Sequence, residues 1–152
     1  MIMSMSDEKF MKAAISEAIC AEKINEVPIG AVAVLNGKII ARAHNVRESK
    51  KNPMGHAELI LLEKIVRKKA FPSFRFDDLT IYVTCEPCVM CIGALILSRV
   101  KRVVFGCYDK KAGACGSIYN IPQDNRLNHK IQVTSGILQE EWGPFLAAFS
   151  SI

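Results

Sequence analysis

The sequence predicts an α/β sandwich built around one mixed sheet of about five strands. Helix-period and strand-period segments alternate along the chain after an opening hairpin, which argues for helices packed on a sheet. Half of the residues are hydrophobic and 23% are charged, the balance of an ordinary globular core. A length of 152 residues suits one domain, 1–152, and no repeat, low-complexity tract or linker interrupts it.

Each element follows from its local pattern. Residues 7–25 predict an amphipathic helix, because Phe10, Met11, Ala14, Ile15, Ala18 and Ile19 recur on one stripe behind Ser6, a suitable N-cap. "IGAVAVLNGKIIARA" predicts two strands joined at Asn36 and Gly37, residues that tolerate the positive φ of a two-residue hairpin turn. The polar "HNVRESKKNPMG" is a loop, and "HAELILLEKIVRKK" a second helix whose basic end suits its negative pole. "LTIYVT" is a strand by its β-branched and aromatic content. Pro87 fits the first turn of a third helix running to about Ser98. That helix is apolar nearly all round, which calls for burial between layers or against another subunit. "KRVVFG" and "KIQVTSG" predict two more strands, and "LQEEWGPFLAAF" a final helix. Between them, residues 106–130 form a long, weakly periodic segment of the kind that often carries function.

Composition narrows the function classes. The longest apolar run, "CVMCIGALIL", is about half a membrane span, and "MIMSMSDEKF" has no basic region ahead of an apolar core. A cytoplasmic protein without membrane attachment is expected. Six cysteines without a secretory signal point to reduced thiols and metal chemistry more than to disulfides. The net charge of +5 is modest, and its small basic groups, Lys110 and Lys111 among them, read first as solvated element ends and only second as phosphate contacts.

"VTCEPCVMC" places cysteines at 85, 88 and 91. On a helix, Cys88 and Cys91 share one face, as two bonds to one ion require. A helix N-terminus lowers thiol pKa and so prepares thiolate ligands. His56 opens the second helix just after a turn, where it can converge with Cys88. One imidazole and two thiolates give zinc three protein ligands and leave the fourth position to water, the arrangement of a catalytic site. Glu58 stands two residues after His56, where a carboxylate can take a proton from activated water and pass it to a leaving group. H-x-E followed by P-C-x-x-C is the signature of zinc nucleobase deaminases. An iron-sulfur reading lacks a fourth cysteine close behind, since residues 92–106 contain none. A thioredoxin-like pair leaves "HAE" unexplained. Cys85, at the end of the strand, is expected to line or support the pocket; Cys20, Cys107 and Cys115 are expected to be plain buried or surface thiols.

Beyond the metal motif, "EVPIGAVAVLNGKII", "HN" at 44–45, "EPCVMC", "SRVKRVVFG", "DKKAGACGS", "RLNH" and "TSGIL" make the chain resemble the cytidine deaminase superfamily. The likeness is greatest to its bacterial tRNA-specific adenosine deaminases and covers about residues 7–149. The resemblance implies a three-layer α/β/α fold, a homodimer with active sites near the subunit interface, and one zinc ion per chain. It also implies hydrolysis of adenosine to inosine at the wobble position of a tRNA anticodon loop. His56, Cys88 and Cys91 match the zinc ligands, and Glu58 the proton shuttle. Asn45 matches a pocket asparagine that contacts the base, and Ile29 an apolar wall. Asp109, Asn128 and His129 fall in segments that in this family lie along the anticodon loop. Lys110, Lys111 and Arg126 are candidates for phosphate contact. Read without the resemblance, Asn45 and Asp109 are ordinary turn residues, and His129 a surface residue before a strand.

Two other functions compete. "CEPC" also occurs in guanine deaminases, so a free-base deaminase acting on guanine or cytosine would share the metal chemistry. A non-catalytic zinc and RNA-binding module is the rival of another class, and Glu58 argues against it, because structural zinc is closed by four protein ligands.

Overall fold

A computed structural model describes the backbone of residues 5–150 and the side chains of residues 5–148. Its elements are α1 (Met5–Lys23), β1 (Gly30–Leu35), β2 (Lys38–His44), α2 (Ala57–Arg67), β3 (Thr80–Cys85), α3 (Val89–Leu97), β4 (Arg102–Cys107), β5 (Gln132–Thr134) and α4 (Gln139–Ser150), with a 3₁₀ turn at Ile121–Gln123. The five strands form one sheet in the order β2-β1-β3-β4-β5. β1 pairs antiparallel with β2 and with β3, whereas β3, β4 and β5 run parallel. The sheet is therefore mixed, as alternation of the elements requires. Asn36 (φ 51°) and Gly37 (φ 77°) make the hairpin turn between β1 and β2.

Strand alternation divides the core between the two faces. On one face Phe10, Met11 and Ala14 of α1 pack on Val32, Val34, Tyr82 and Val104. On the other, Leu61, Leu62 and Ile65 of α2 and Ile92, Leu95 and Ile96 of α3 cover Ala31, Ala33, Ile81, Val83, Val103 and Phe105. Trp142 and Leu146 of α4 close over Cys85 and Cys107 at the strand ends, beside Ala18 of α1. The result is three layers, helix on sheet on helix. β1 and α1 approach so closely that a Cβ at Gly30 would lie 2.2 Å from the Ala14 carbonyl oxygen, so only glycine fits there.

Both ends of α1 and the start of α3 differ from the sequence expectations. α1 begins at Met5, so Ser6 lies inside the helix instead of capping it, and Asn25 at φ 60° follows its end. Ile19 is exposed and Ala21 is buried instead, because the stripe drifts around the helix over its length. α3 begins at Val89 with Cys88 as N-cap, so Pro87 precedes the helix. The backbone of Glu86 and Pro87 is engaged elsewhere: the Glu86 N–H donates to the Cys107 carbonyl at 2.8 Å, and the Pro87 carbonyl accepts the Ala114 N–H at 2.9 Å.

Candidate active site

The site lies where β3 and β4 end and α2 and α3 begin. His56 and Cys88 are the N-caps of α2 and α3, both with extended backbone and neither using its side chain to cap. Their side chains are thus free to meet between the two helix N-termini, whose partial positive charge favours anionic ligands. Cys91, one turn into α3 and fully buried, completes the group. His56 Nδ1 stands 3.6 Å from Cys88 Sγ and 3.5 Å from Cys91 Sγ, and all three ligand atoms lie within 4.8 Å of one another. A tetrahedral centre with Zn–S near 2.3 Å and Zn–N near 2.0 Å would separate nitrogen from sulfur by about 3.5 Å. The donor set and its spacing therefore fit zinc.

The electrostatics suit such a set. The Cys88 thiol is held down at about 4 by the Cys91 sulfhydryl beside it and by the His56 ring. His56 is raised above its usual range, first by its contact with Cys88. Glu58, in the first turn of α2, is only 4% exposed, and burial pushes its carboxyl up to about 7. A carboxyl poised there can both take and give a proton near neutral pH.

A cavity of about 310 Å³ opens onto this group. Of the residues named from the sequence, Ile29, Asn45, Asp109 and Lys111 line it together with His56, Glu58 and Cys88, and Cys85 forms part of its wall. Lys110 lines an adjoining cavity of about 390 Å³ that shares Val27, Ile29, Cys85, Asp109 and Lys111 with the first. Asp109 also serves its own turn, its Oδ1 accepting the Lys111 and Ala112 N–H groups at 3.0 and 3.2 Å. Among the described residues, Arg126, Asn128 and His129 line neither cavity. The Arg126 guanidinium pairs with Asp124 at 2.7 Å, Asn128 is exposed, and His129 Nε2 donates to the Val100 carbonyl at 2.7 Å. Val100 precedes β4, so His129 sits at the end of that strand away from Cys107. Cys20 is exposed, and Cys107 and Cys115 are buried free thiols.

Sequence reasoning missed three residues. Arg47 lines the pocket. Glu26 is fully buried and accepts the Glu48 N–H at 3.1 Å, the Ser49 N–H, and Asn45 Nδ2 at 3.5 Å. Burial alone would raise its carboxyl, but the backbone donors of Ser49 and Glu48 outweigh that and lower it. Glu26 thereby aims Asn45 into the pocket and ties down the loop after β2. Glu86, also buried, lines the pocket and accepts the N–H groups of Asp109, Cys115 and Ser117. For Glu26 and Glu86 the available signal was an acidic residue set beside an apolar or cysteine-rich stretch; Arg47, in a polar loop, gave none.

Comparison with known proteins agrees with this geometry. The model for the cytidine and deoxycytidylate deaminase zinc-binding region matches residues 4–107. A tRNA-specific adenosine deaminase of Bacillus subtilis is 51% identical over 143 residues, 94% of this chain and 88% of the relative. One of Haemophilus influenzae is 42% identical over 97% of this chain and 85% of the relative. A structure solved in a study of A-to-I editing by tRNA:A34 deaminases at the wobble position superposes with a TM-score of 0.83 at 34% identity, covering 90% of this chain and 97% of that one. With the triad, the buried carboxylate and the sheet order all in place, the chain belongs to the zinc-binding cytidine and deoxycytidylate deaminase family, among the relatives named tRNA-specific adenosine deaminases.

Proposed function

We propose that this protein hydrolyses adenosine to inosine at the wobble position of a tRNA anticodon loop, releasing ammonia. The observation that carries the reading is the buried Glu58 carboxyl in one pocket with His56 and Cys88, whose ligand atoms group with that of the buried Cys91. His56, Cys88 and Cys91 would hold the zinc ion. Bound there, zinc supplies the Lewis acidity that makes water nucleophilic at neutral pH. Glu58 would take a proton from the attacking water and deliver it to ring N1 as the C6–O bond forms, then carry the proton of the new C6 hydroxyl to the amine as the C6–N bond breaks and ammonia leaves. Asn45, aimed by Glu26, holds the base edge, and Ile29 and Val27 supply an apolar wall. A pocket of this size admits a base only when the nucleotide has left its stack, which single-stranded loops allow at least cost. Lys110 and Lys111, at the rim, meet the flanking phosphates. Arg126, Asn128 and His129 belong to the outlying RNA footprint, away from the reacting base.

The working form is a single-domain homodimer in the cytoplasm, where tRNA is modified. The free face of α3 supports the dimer, and among the described residues no helix is long and apolar enough to cross a membrane. The test is inosine formation on anticodon stem-loop RNAs with adenosine at the wobble position, run beside free adenine, guanine and cytosine. Inosine in RNA is expected; turnover of a free base alone would overturn the substrate and keep the metal chemistry.

A further inference from the structure

Glu86 is neither a metal ligand nor a proton carrier, yet its side chain is only 3% exposed. Its two oxygens take four donors, all from one segment. Oε1 accepts the Asp109 N–H at 2.9 Å and the Ser117 hydroxyl. Oε2 accepts the Cys115 and Ser117 N–H groups at 2.9 and 3.0 Å. The chain passes so close over the carboxylate that a Cβ at Gly113 would lie 2.3 Å from Glu86 Cδ. The same segment is tied to the turn that carries Cys88: Gly113 pairs with Cys88 as an isolated bridge, and the Ala114 N–H donates to the Pro87 carbonyl. It also supplies Asp109, Lys111 and Ala112 to the wall of the pocket.

We propose that Glu86 is a positioning residue that locks segment 109–117 over the Cys88 turn, so that the wall gripping the nucleotide is formed before substrate arrives and stays in register with the metal ligands. The physical reason is the cost of ordering. Residues 109–117 have turns and single bridges but no helix or strand of their own. Without an internal partner, the entropy of fixing them would be charged to substrate binding. A carboxylate satisfies this segment because it offers acceptors only, and all four of its partners are donors. An amide in its place would aim an N–H group at two donors and leave buried groups unpaired.

The activity arm of the test rests on the RNA reading above; the exchange arm does not. Glu86→Gln, Ser117→Ala and the double variant are compared with the unsubstituted protein for amide hydrogen exchange over residues 109–117, zinc per chain, and kcat and KM on stem-loop RNA. In Glu86→Gln, exchange at Asp109, Cys115 and Ser117 should rise at least tenfold with zinc retained. KM should rise tenfold or more, while kcat changes less. Ser117→Ala should move both readings the same way by less, and should add little in the Glu86→Gln background. Unchanged exchange, unchanged KM, or activity lost only in step with zinc would each overturn the proposal. If Glu86→Gln does not fold, the Ser117→Ala comparison decides alone, because that variant leaves the carboxylate in place and removes a single donor. Inactivity of the unsubstituted protein on RNA would overturn the substrate reading instead, with the exchange comparison still standing.

Discussion

Glu58 shows how burial moves an ordinary carboxyl toward neutral pH, which is what the proposed proton carrier needs. Its place in the first turn of α2 points it at the metal group, and exclusion from water raises its carboxyl to about 7. Glu58→Gln keeps the shape and the zinc ligands, so zinc per chain should stay at one while kcat falls by roughly 10²- to 10⁴-fold. Metal analysis beside a turnover assay checks this, and full turnover in the variant would remove the assigned role. His56, Glu58, Cys88 and Cys91 were legible in the sequence because each pair of them is local: an HxE and a CxxC on two helix starts. Glu26 and Glu86 were not, because their partners lie 19 to 31 residues away and no local pattern encodes a loop folding back on a carboxylate. The same limit explains Arg126, Asn128 and His129, whose distance from the pocket depends on how residues 108–130 cross the end of the sheet.

Among the elements, α3 has two jobs. Cys91, Ile92, Leu95 and Ile96 face inward, and the buried Cys91 is set in that packed face. Val89, Gly93 and Leu97 recur every fourth residue on the other side; Val89 is 49% and Leu97 71% exposed, and a Cβ at Gly93 would meet nothing within 4 Å. Val66 and Phe74, also exposed, line the same cavity edge as Leu97. An apolar patch of this kind marks an interface. If the proposed homodimer forms through this face, Leu97→Lys should give a monomer in sedimentation equilibrium without loss of helix content, and an unchanged dimer mass would place the interface elsewhere. The apolar surround of α3 was visible in the sequence, but which stripe stays outside depends on where the sheet lies. The β1–β2 hairpin needed no such context, since Asn36 and Gly37 adopt their positive φ locally.

Across the whole molecule, one buried network ties the N-terminal helix to the sheet. Asp7 Oδ2 takes Arg102 Nη2 at 2.7 Å, and Asp7 Oδ1 accepts the Tyr82 hydroxyl at 2.6 Å; Arg102 also reaches Thr134 Oγ1 at 2.9 Å. The Arg102 hydrogen bonds hold the Asp7 carboxyl below its usual 3.8, outweighing burial. A depressed carboxyl stabilises the fold above the unfolded-state value and loses that contribution as pH falls through the folded value, because the unfolded chain binds the proton first. Asp7→Asn should therefore cost about 2 to 3 kcal/mol in urea unfolding at pH 7. The gap from the unsubstituted protein should narrow as pH falls below 3.8, and a gap independent of pH would exclude the ion pair as its source. By itself the sequence determined the element types, the mixed α/β class, and the two short motifs that bring candidate zinc ligands and a carboxylate to two helix starts, because periodicity, turn chemistry and motif spacing are local properties. Tertiary structure alone decided the strand order, the meeting of His56 with Cys88 across 32 residues, the two buried carboxylates that shape the pocket walls, and the distance of Asn128 and His129 from it. Those depend on which surfaces pack together to leave water, and packing couples residues that the chain itself keeps apart.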